Sequence, residues 1–140
     1  MVVNNGGVIA GGHVGGLGNG DWLDYGNVDF GSGGLFQVQS LVSGGSGGSG
    51  LISYRVDSPT GPVLGDLSIG STGGWDSYRQ IPANAAGATG VHKLYVTFRS
   101  GYPFAYVNLD RFVFQLRGTP TPDLIAPTLT TPLLLTAKTG

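Results

Sequence analysis

The sequence predicts an all-β domain, and three features of its 140 residues support this. Glycine is very frequent, at 27 residues, whereas charged residues make up only 11% and every acidic residue is an aspartate. The residues that usually cover helix surfaces are therefore scarce, which disfavours helix. Short apolar stretches alternate with glycine-rich turns, as in a β-sandwich. The chain is long enough for one ordinary domain and too short for two.

Strand patterns recur along the chain at short intervals. The clearest is Gly20–Phe30, where alternation places Leu23, Tyr25 and Asn27 on one face and Trp22 and Asp24 on the other. Residues 43–50, SGGSGGSG, have the composition of a flexible linker, and we expect a long mobile hairpin loop there. The predicted strands cover 7–10, 13–17, 22–28, 35–42, 51–56, 63–69, 76–81, 91–98 and 111–116, and residues 82–90 are predicted as a loop.

Several classes of protein are excluded by composition. A formal net charge of -1 argues against a nucleic-acid-binding surface. No apolar run reaches ~18 residues, so no membrane helix is expected. The absence of cysteine excludes disulfides and thiolate metal sites. Residues 1–5 have neither the basic segment nor the apolar core of a signal peptide.

Four motifs carry a family resemblance. They are GDWLDYGNVDFGSGG, SYRVDSPTGPVLGDLSIGSTGGWDSY, GATGVHKLYVTF and NLDRFVF, in that order. Together they resemble carbohydrate-binding module family 6 over roughly residues 13–116. The resemblance implies a jelly-roll β-sandwich over residues 1–118, followed by an extended Pro/Thr-rich tail over 119–140. It also implies a module without catalytic activity, attached to a secreted polysaccharide-degrading enzyme.

The resemblance further implies a sugar site in a cleft at one end of the sandwich. One sugar ring would lie between two aromatic side chains, and an asparagine just before the last strand would hydrogen-bond it. Tyr78 matches one aromatic position and Asn108 matches the asparagine. An aromatic face packs on sugar C–H groups, and an amide both donates to and accepts from hydroxyls. The position of the second aromatic is taken by Gly16.

Other aromatic residues are candidates for the second aromatic side chain that would pack on the sugar ring. Tyr102, Phe104 and Tyr106 directly precede Asn108, and they form either a binding loop or an edge strand that packs on the core. Alternation lets all three share one face. Trp22 lies in the GDW motif and has two interpretations: packing beneath the loops, or part of a second cleft on a sheet face.

Aspartates are assigned two roles. Asp21, Asp24 and Asp29 are expected to accept hydrogen bonds from turn amides, because the first two are too close in sequence to straddle a scissile bond as a catalytic pair. Asp110 matches the acid near the structural calcium of similar modules. The glutamate-containing first strand that usually supplies the other calcium ligands is missing here.

The leading functional interpretation is non-catalytic binding of a polysaccharide or oligosaccharide by an extracellular module. The tail leaves two possibilities open. Residues 123–140 resemble a linker that enters a fibronectin-type III repeat, or they form a strand that is exchanged between copies. Head-to-tail exchange that does not close would build a filament, so a structural subunit of a fibre or surface layer is the alternative.

Overall fold

The fold is a sandwich of two antiparallel β-sheets in a computed structural model that describes residues 2–4, 8–10, 13–116 and 133–136. This part of the chain contains strands and no helix, so it has no helix that could span a membrane. The predicted all-β sandwich is confirmed. The strands are β1 (Val2–Asn4), β2 (Val8–Ala10), β3 (His13–Leu17), β4 (Trp22–Asp29), β5 (Leu35–Gly44), β6 (Gly50–Val56), β7 (Val63–Ile69), β8 (Gly74–Asn84), β9 (Val91–Arg99), β10 (Val107–Leu116) and β11 (Leu133–Thr136).

The two sheets have different strand orders. Sheet A is ordered β1-β4-β9-β6-β7 and sheet B is ordered β2-β3-β10-β5-β8, with β11 also paired to β10. Few strands that follow each other in the chain are also neighbours in a sheet, so most strand pairings join distant parts of the chain. The last described long strand, β10, therefore lies in the middle of sheet B between β3 and β5.

Aromatic rings fill the core between the sheets. Tyr54 of sheet A is fully buried, and its ring centroid lies 5.0 Å from that of Phe112 and 5.7 Å from that of Phe114, both on sheet B. The Tyr54 hydroxyl shares a 2.6 Å hydrogen bond with Ser40, which is also fully buried. Burial raises the pKa of Tyr54 above its ordinary value, which keeps the phenol neutral. One side chain thus joins the two sheets by packing and by a polar contact.

A β-bulge in β4 changes the expected alternation. The pairing of β4 with β9 shifts register between Asp24 and Gly26, and the Asp24 carboxylate accepts a 2.8 Å hydrogen bond from the Gly26 amide. Leu23 is buried and Tyr25 packs against the core, so the face that carries Leu23, Tyr25 and Asn27 by alternation is the inward one before the bulge. Beyond the bulge the faces exchange, so Asn27 is exposed where strict alternation predicts it to face inward.

Strand β8 is longer than the sequence pattern predicts. It continues through Pro82 to Asn84, in a stretch that its composition assigns to a loop. Strand β8 is the edge of sheet B, where the missing N–H of a proline can face away from the sheet. Edge position therefore explains a proline within a paired strand.

The tail contributes one described strand. Residues 133–136 pair antiparallel with Arg111–Phe114 of the same chain, with Leu133 opposite Phe114 and Thr136 opposite Arg111. Strand β3 pairs with β10 at Val107 and Leu109, so β3 and β11 follow each other along one edge of β10. Strand β11 thus occupies an edge that β3 does not reach.

The SGGSGGSG segment is held against aromatic side chains. Strand β5 extends to Gly44 and β6 begins at Gly50, so only residues 45–49 connect them. The backbone of Gly48 lies against the Tyr102 ring, so closely that a Cβ atom at Gly48 would overlap the ring. The Tyr102 hydroxyl donates a 3.0 Å hydrogen bond to the Ser46 carbonyl. The segment is therefore packed, unlike the mobile loop that its composition predicts.

The hydrogen bond between Tyr54 and Ser40 gives a first test. Tyr54→Phe removes one hydroxyl and leaves the buried Ser40 hydroxyl without this partner, so the free energy of unfolding should fall by about 1–2 kcal/mol. Urea denaturation measures the change. The double variant Tyr54→Phe/Ser40→Ala removes both polar groups and should recover part of the loss. An unchanged unfolding free energy in Tyr54→Phe would mean that the bond contributes nothing to stability.

The close approach of Gly48 to Tyr102 gives a second test. Gly48→Ala forces the Tyr102 ring to move and should lower the free energy of unfolding by about 1–3 kcal/mol. Gly101→Ala is the matched control, because an added Cβ there has no neighbour within 4 Å. Equal effects of the two substitutions in thermal or urea unfolding would contradict the packing of this segment.

Candidate functional site

Asn108 lies at the start of β10 and connects three strands. Its Oδ1 atom accepts a 2.9 Å hydrogen bond from the Gly16 amide of β3, and its Nδ2 group donates a 3.3 Å hydrogen bond to the Ser43 hydroxyl of β5. The side chain is only 9% exposed. A primary amide has two donor hydrogens and two acceptor lone pairs, so one of each remains for a ligand. The sequence predicts a strand at 111–116 with Asn108 before it, whereas in the structure this strand, β10, begins at Val107 and includes Asn108.

Tyr78 lies at the same end of sheet B, on the other side of β5. The Ser43 hydroxyl, which accepts from Asn108, donates a 2.8 Å hydrogen bond to the carbonyl of Trp75 in β8. The pairing of β5 with β8 shifts register next to Ser43, in the stretch of β8 that contains Trp75 and Tyr78. Tyr78 is half-buried there. The structure therefore brings Tyr78 and Asn108 to one end of one sheet, separated by a single strand.

At this end of the sandwich, on the β3 side of Asn108, a loop with an exposed aromatic side chain replaces an aromatic residue in the strand. Gly16 is exposed and has no side chain to offer, as the sequence indicates. A cleft of about 400 Å³ runs between Gly16 and Gly18 on one side and residues 102–105 on the other. Phe104 is 69% exposed, and its ring meets the Tyr102 ring edge-on at 5.8 Å. Phe104 thus presents an exposed aromatic surface beside the residue that contacts Asn108.

The three aromatic residues of the loop have different positions. Tyr102 is half-buried and anchors the loop through Gly48 and the Ser46 carbonyl, whereas Phe104 projects into solvent. Tyr106 is fully buried, and its hydroxyl donates a 2.8 Å hydrogen bond to the Leu51 carbonyl. Burial raises the pKa of Tyr106 above its ordinary value.

The three aromatic side chains therefore do not share one face, as alternation would allow, and Tyr106 is corrected as a candidate for sugar binding. Alternation requires an extended chain, but residues 101–104 form bends, so the side chains of Phe104 and Tyr106 separate. Tyr106 offers no ring face to a ligand and belongs to the core.

Trp22 lies on the other sheet. Its ring centroid is 5.8 Å from that of Tyr95, and both residues are on the face of sheet A that points away from sheet B. Lys93 lies over the Tyr95 ring at 5.6 Å and forms a 3.0 Å ion pair with Asp24. Trp22 therefore belongs to a separate polar and aromatic surface, and the structure does not bring it next to Asn108.

The aspartates of the N-terminal half accept backbone hydrogen bonds, as predicted. Asp21 accepts from the Gly18 amide at 2.8 Å, and Asp24 and Asp29 accept from the amides of Gly26 and Gly31, each also at 2.8 Å. Each carboxylate stabilises a turn or bulge within three residues of itself.

Asp110, the predicted calcium ligand, is half-exposed in β10 and is one source of the raised pKa of Tyr25, after burial and Tyr54. Within residues 14–116, whose side chains the structure describes, no three acidic or histidine side chains come together in a way that could hold a metal ion. Calcium binding therefore stays a prediction that rests on Asp110.

Two residues at this end of the sandwich were missed by sequence reasoning. Ser43, which relays the hydrogen bonds from Asn108 to Trp75, is the first residue of the SGGSGGSG segment, whose composition indicates a loop. Asn19 follows β3, and its side chain accepts a 3.0 Å hydrogen bond from the Ser100 amide. No local pattern distinguishes either residue, because Asn108 is 65 positions away from Ser43 and Ser100 is 81 positions away from Asn19.

Comparisons with known proteins agree with this architecture. The family model of carbohydrate binding module (family 6) matches residues 3–116. An arabinoxylan arabinofuranohydrolase of Bacillus subtilis is 38% identical over 112 residues, which are 80% of this chain and 21% of that protein. The chain thus spans about a fifth of the length of the curated relatives it matches.

Two solved structures have the same fold. A family 6 module from Clostridium cellulolyticum, solved in complex with xylose, is 36% identical with a TM-score of 0.67 and covers 73% of this chain and 77% of that one. A module from Clostridium stercorarium, solved with cellobiose, is 33% identical with a TM-score of 0.64 and covers 75% and 74%. The predicted jelly-roll sandwich is confirmed, and the chain belongs to family 6 of the carbohydrate-binding modules.

Proposed function

We propose that this chain binds a neutral β-linked polysaccharide, with xylan as the leading candidate, at the end of sheet B. The observation that carries the proposal is the Asn108 amide, which is held by Gly16 and Ser43 and keeps one donor and one acceptor for a sugar hydroxyl pair. The half-buried Tyr78 lies one strand away, and the exposed Phe104 lies across the cleft from Gly16, whose amide donates to Asn108.

The choice of xylan follows from what similar proteins bind or act on. One similar module is solved with xylose, and similar enzymes are named arabinoxylan arabinofuranohydrolase and endo-1,4-beta-xylanase. In this chain the cleft beside Gly16 is lined by a single ionisable acid, Asp21, whose carboxylate already accepts a hydrogen bond from Gly18. A neutral backbone sugar suits such a surface.

Binding at this site is expected to be modest in affinity. Each hydroxyl that bonds to Asn108 gives up a hydrogen bond to water, so the net gain is only about 0.5–1.5 kcal/mol per bond. An aromatic face adds contact area with little loss of side-chain freedom. Because Asn108 is already held by two strands, no further ordering of the amide is needed when a sugar binds.

The biological role would be to hold an attached enzyme on its substrate. A tethered module raises the local concentration of the enzyme at the polymer without a new catalytic contact. The enzymes that this chain resembles are several times longer than the chain. A polymer such as xylan lies outside the cell, so we propose an extracellular location.

A structural subunit built by strand exchange is the alternative. In this structure β11 pairs with β10 of its own chain, so exchange would require β11 to leave that edge and pair with another copy. The short β10–β11 pairing, over four residues of each strand, is the feature that keeps the alternative open. Self-association through residues 123–140 stays a prediction.

Substitution at Phe104 tests the proposed site with little risk to the fold, since the side chain is 69% exposed. Phe104→Ala should weaken binding of xylohexaose by about tenfold, an effect of about 1.4 kcal/mol that lies within the range of a single aromatic contact. Phe104→Tyr keeps the ring and should bind as the wild type does. Isothermal titration calorimetry measures both.

Two further variants, at Asn108 within the proposed site and at Trp22 outside it, are compared with Phe104→Ala. Asn108→Ala should abolish measurable binding in a protein that still gives a folded NMR spectrum, whereas Trp22→Ala on the other sheet should leave binding unchanged. The proposal would fail if wild type bound xylohexaose and both Phe104→Ala and Asn108→Ala bound it equally well.

Deletion of residues 119–140 distinguishes the two functions. Strand β11 pairs at Arg111–Phe114, away from Asn108, so the shortened chain should keep its affinity for the glycan. Light scattering and electron microscopy of both chains follow assembly. Filaments formed by the full chain and lost on deletion would favour the structural alternative, and loss of glycan binding in a folded shortened chain would contradict the proposed site.

A further inference from the structure

A second cleft lies on the outer face of sheet A, at the same end of the sandwich. Strands β9, β6 and β7 place Arg99, Leu51 and Ser68 opposite one another in a single row across the sheet. At a strand spacing of ~4.8 Å this row is about 10 Å wide. The row lies in a cleft of about 610 Å³, bordered by Asn19 and Ser100 on one side and by Ile69 on the other.

Arg99 is the charged residue of this cleft. No aspartate or glutamate is among the residues that line it. Other basic side chains nearby on sheet A have partners: Lys93 pairs with Asp24, and Arg55 donates to the Thr97 hydroxyl and the Gly61 carbonyl. The exposed guanidinium of Arg99 forms no ion pair with any residue in the described part of the chain. The cleft therefore has a positive charge that the described residues do not neutralise.

Uncharged hydrogen-bond donors line the same cleft as the Arg99 guanidinium. The Asn19 side-chain oxygen accepts from the Ser100 amide at 3.0 Å, which directs its NH₂ group away from that bond as a donor. Ser68 is exposed and carries a hydroxyl at the far end of the row. The Ser100 hydroxyl is already engaged, because it donates to the Ser49 carbonyl and accepts from the Tyr102 amide. Asn19 and Ser68 therefore add neutral hydrogen-bond donors to the positive charge of Arg99, which suits an anionic ligand.

This cleft adjoins the one beside Gly16. Both are lined by Asn19, Ser100 and Gly101, which lie between them. A glycan that occupies the first cleft can therefore extend a further unit or a side branch into the second. The two clefts differ in charge, since a carboxylate, Asp21, lines the first and a guanidinium lines the second.

We propose that the Arg99 cleft binds the carboxylate of an acidic sugar unit, a uronate, carried by the glycan that occupies the first cleft. A planar guanidinium presents paired N–H groups that match the two oxygens of a carboxylate. The inference rests on the proposed polysaccharide-binding function and adds a charge preference to it. The ligand is thus a mainly neutral polymer with carboxylated branches.

Two forms of one oligosaccharide test the inference. The probes are a xylo-oligosaccharide with one glucuronic acid branch and the same compound with the carboxyl group reduced to an alcohol. Wild type should bind the acidic form about fivefold more tightly, the range of an exposed ion pair, and 1 M NaCl should remove the difference. Isothermal titration calorimetry of the full chain measures both affinities.

Substitutions of arginine test whether the preference for the acidic oligosaccharide depends on Arg99. Arg99→Gln should bind both forms equally, at the affinity of wild type for the reduced form, and Arg99→Lys should keep part of the preference. Arg111→Gln is the control, because it removes one positive charge from an exposed position on sheet B and should keep the full preference.

The possible failures are separable. Equal binding of the two forms by wild type, or equal loss of preference in Arg99→Gln and Arg111→Gln, would overturn the role of Arg99 and leave neutral polysaccharide binding intact. Failure of folded wild type to bind either form would overturn both proposals.

Discussion

The separation of the two sheets depends on Tyr54. Its ring spans the core from sheet A to Phe112 and Phe114 of sheet B, and its hydroxyl meets Ser40 there. Stacked sheets lie ~10 Å apart, a gap that aromatic side chains fill from either side. Because β5 and β6 carry Ser40 and Tyr54, this contact also fixes the relative position of the two strands that the SGGSGGSG segment connects. The loops at that end are placed by the core beneath them.

The polar part of the candidate site is held in place by hydrogen bonds between strands. Its central polar group, Asn108, is part of a hydrogen-bond series that runs from Gly16 through Ser43 to Trp75 and so crosses four strands of sheet B. Such a site is already ordered before the ligand arrives, which reduces the entropy lost on binding. The aromatic surface is supplied differently, by a bent loop whose exposed residue, Phe104, is supported by a tethered neighbour, Tyr102.

Much of this arrangement could be predicted from the sequence, because strand patterns and motif order depend on local composition. The long strands were expected close to where they lie, and Tyr78 and Asn108 share one end of a sheet. Other features depend on register, which alternation alone does not determine. A one-residue bulge in β4 turns Asn27 outward, and bends before Tyr106 turn it into the core. The Arg99 row exists only because β9 aligns with the consecutive strands β6 and β7.

The glycines of the segment between β5 and β6 have a consequence for protein engineering and for natural variation in length. A Gly/Ser repeat is usually treated as a spacer that tolerates insertion, shortening or replacement by another linker. Here Gly48 lies under the Tyr102 ring, and a Cβ atom at Gly50 would lie 2.5 Å from the Tyr106 ring. Adding or removing one residue would slide the repeat past these rings and bring serine side chains beneath them. Insertions and tags are therefore better tolerated elsewhere, and low sequence complexity in this chain marks a tightly fitted surface.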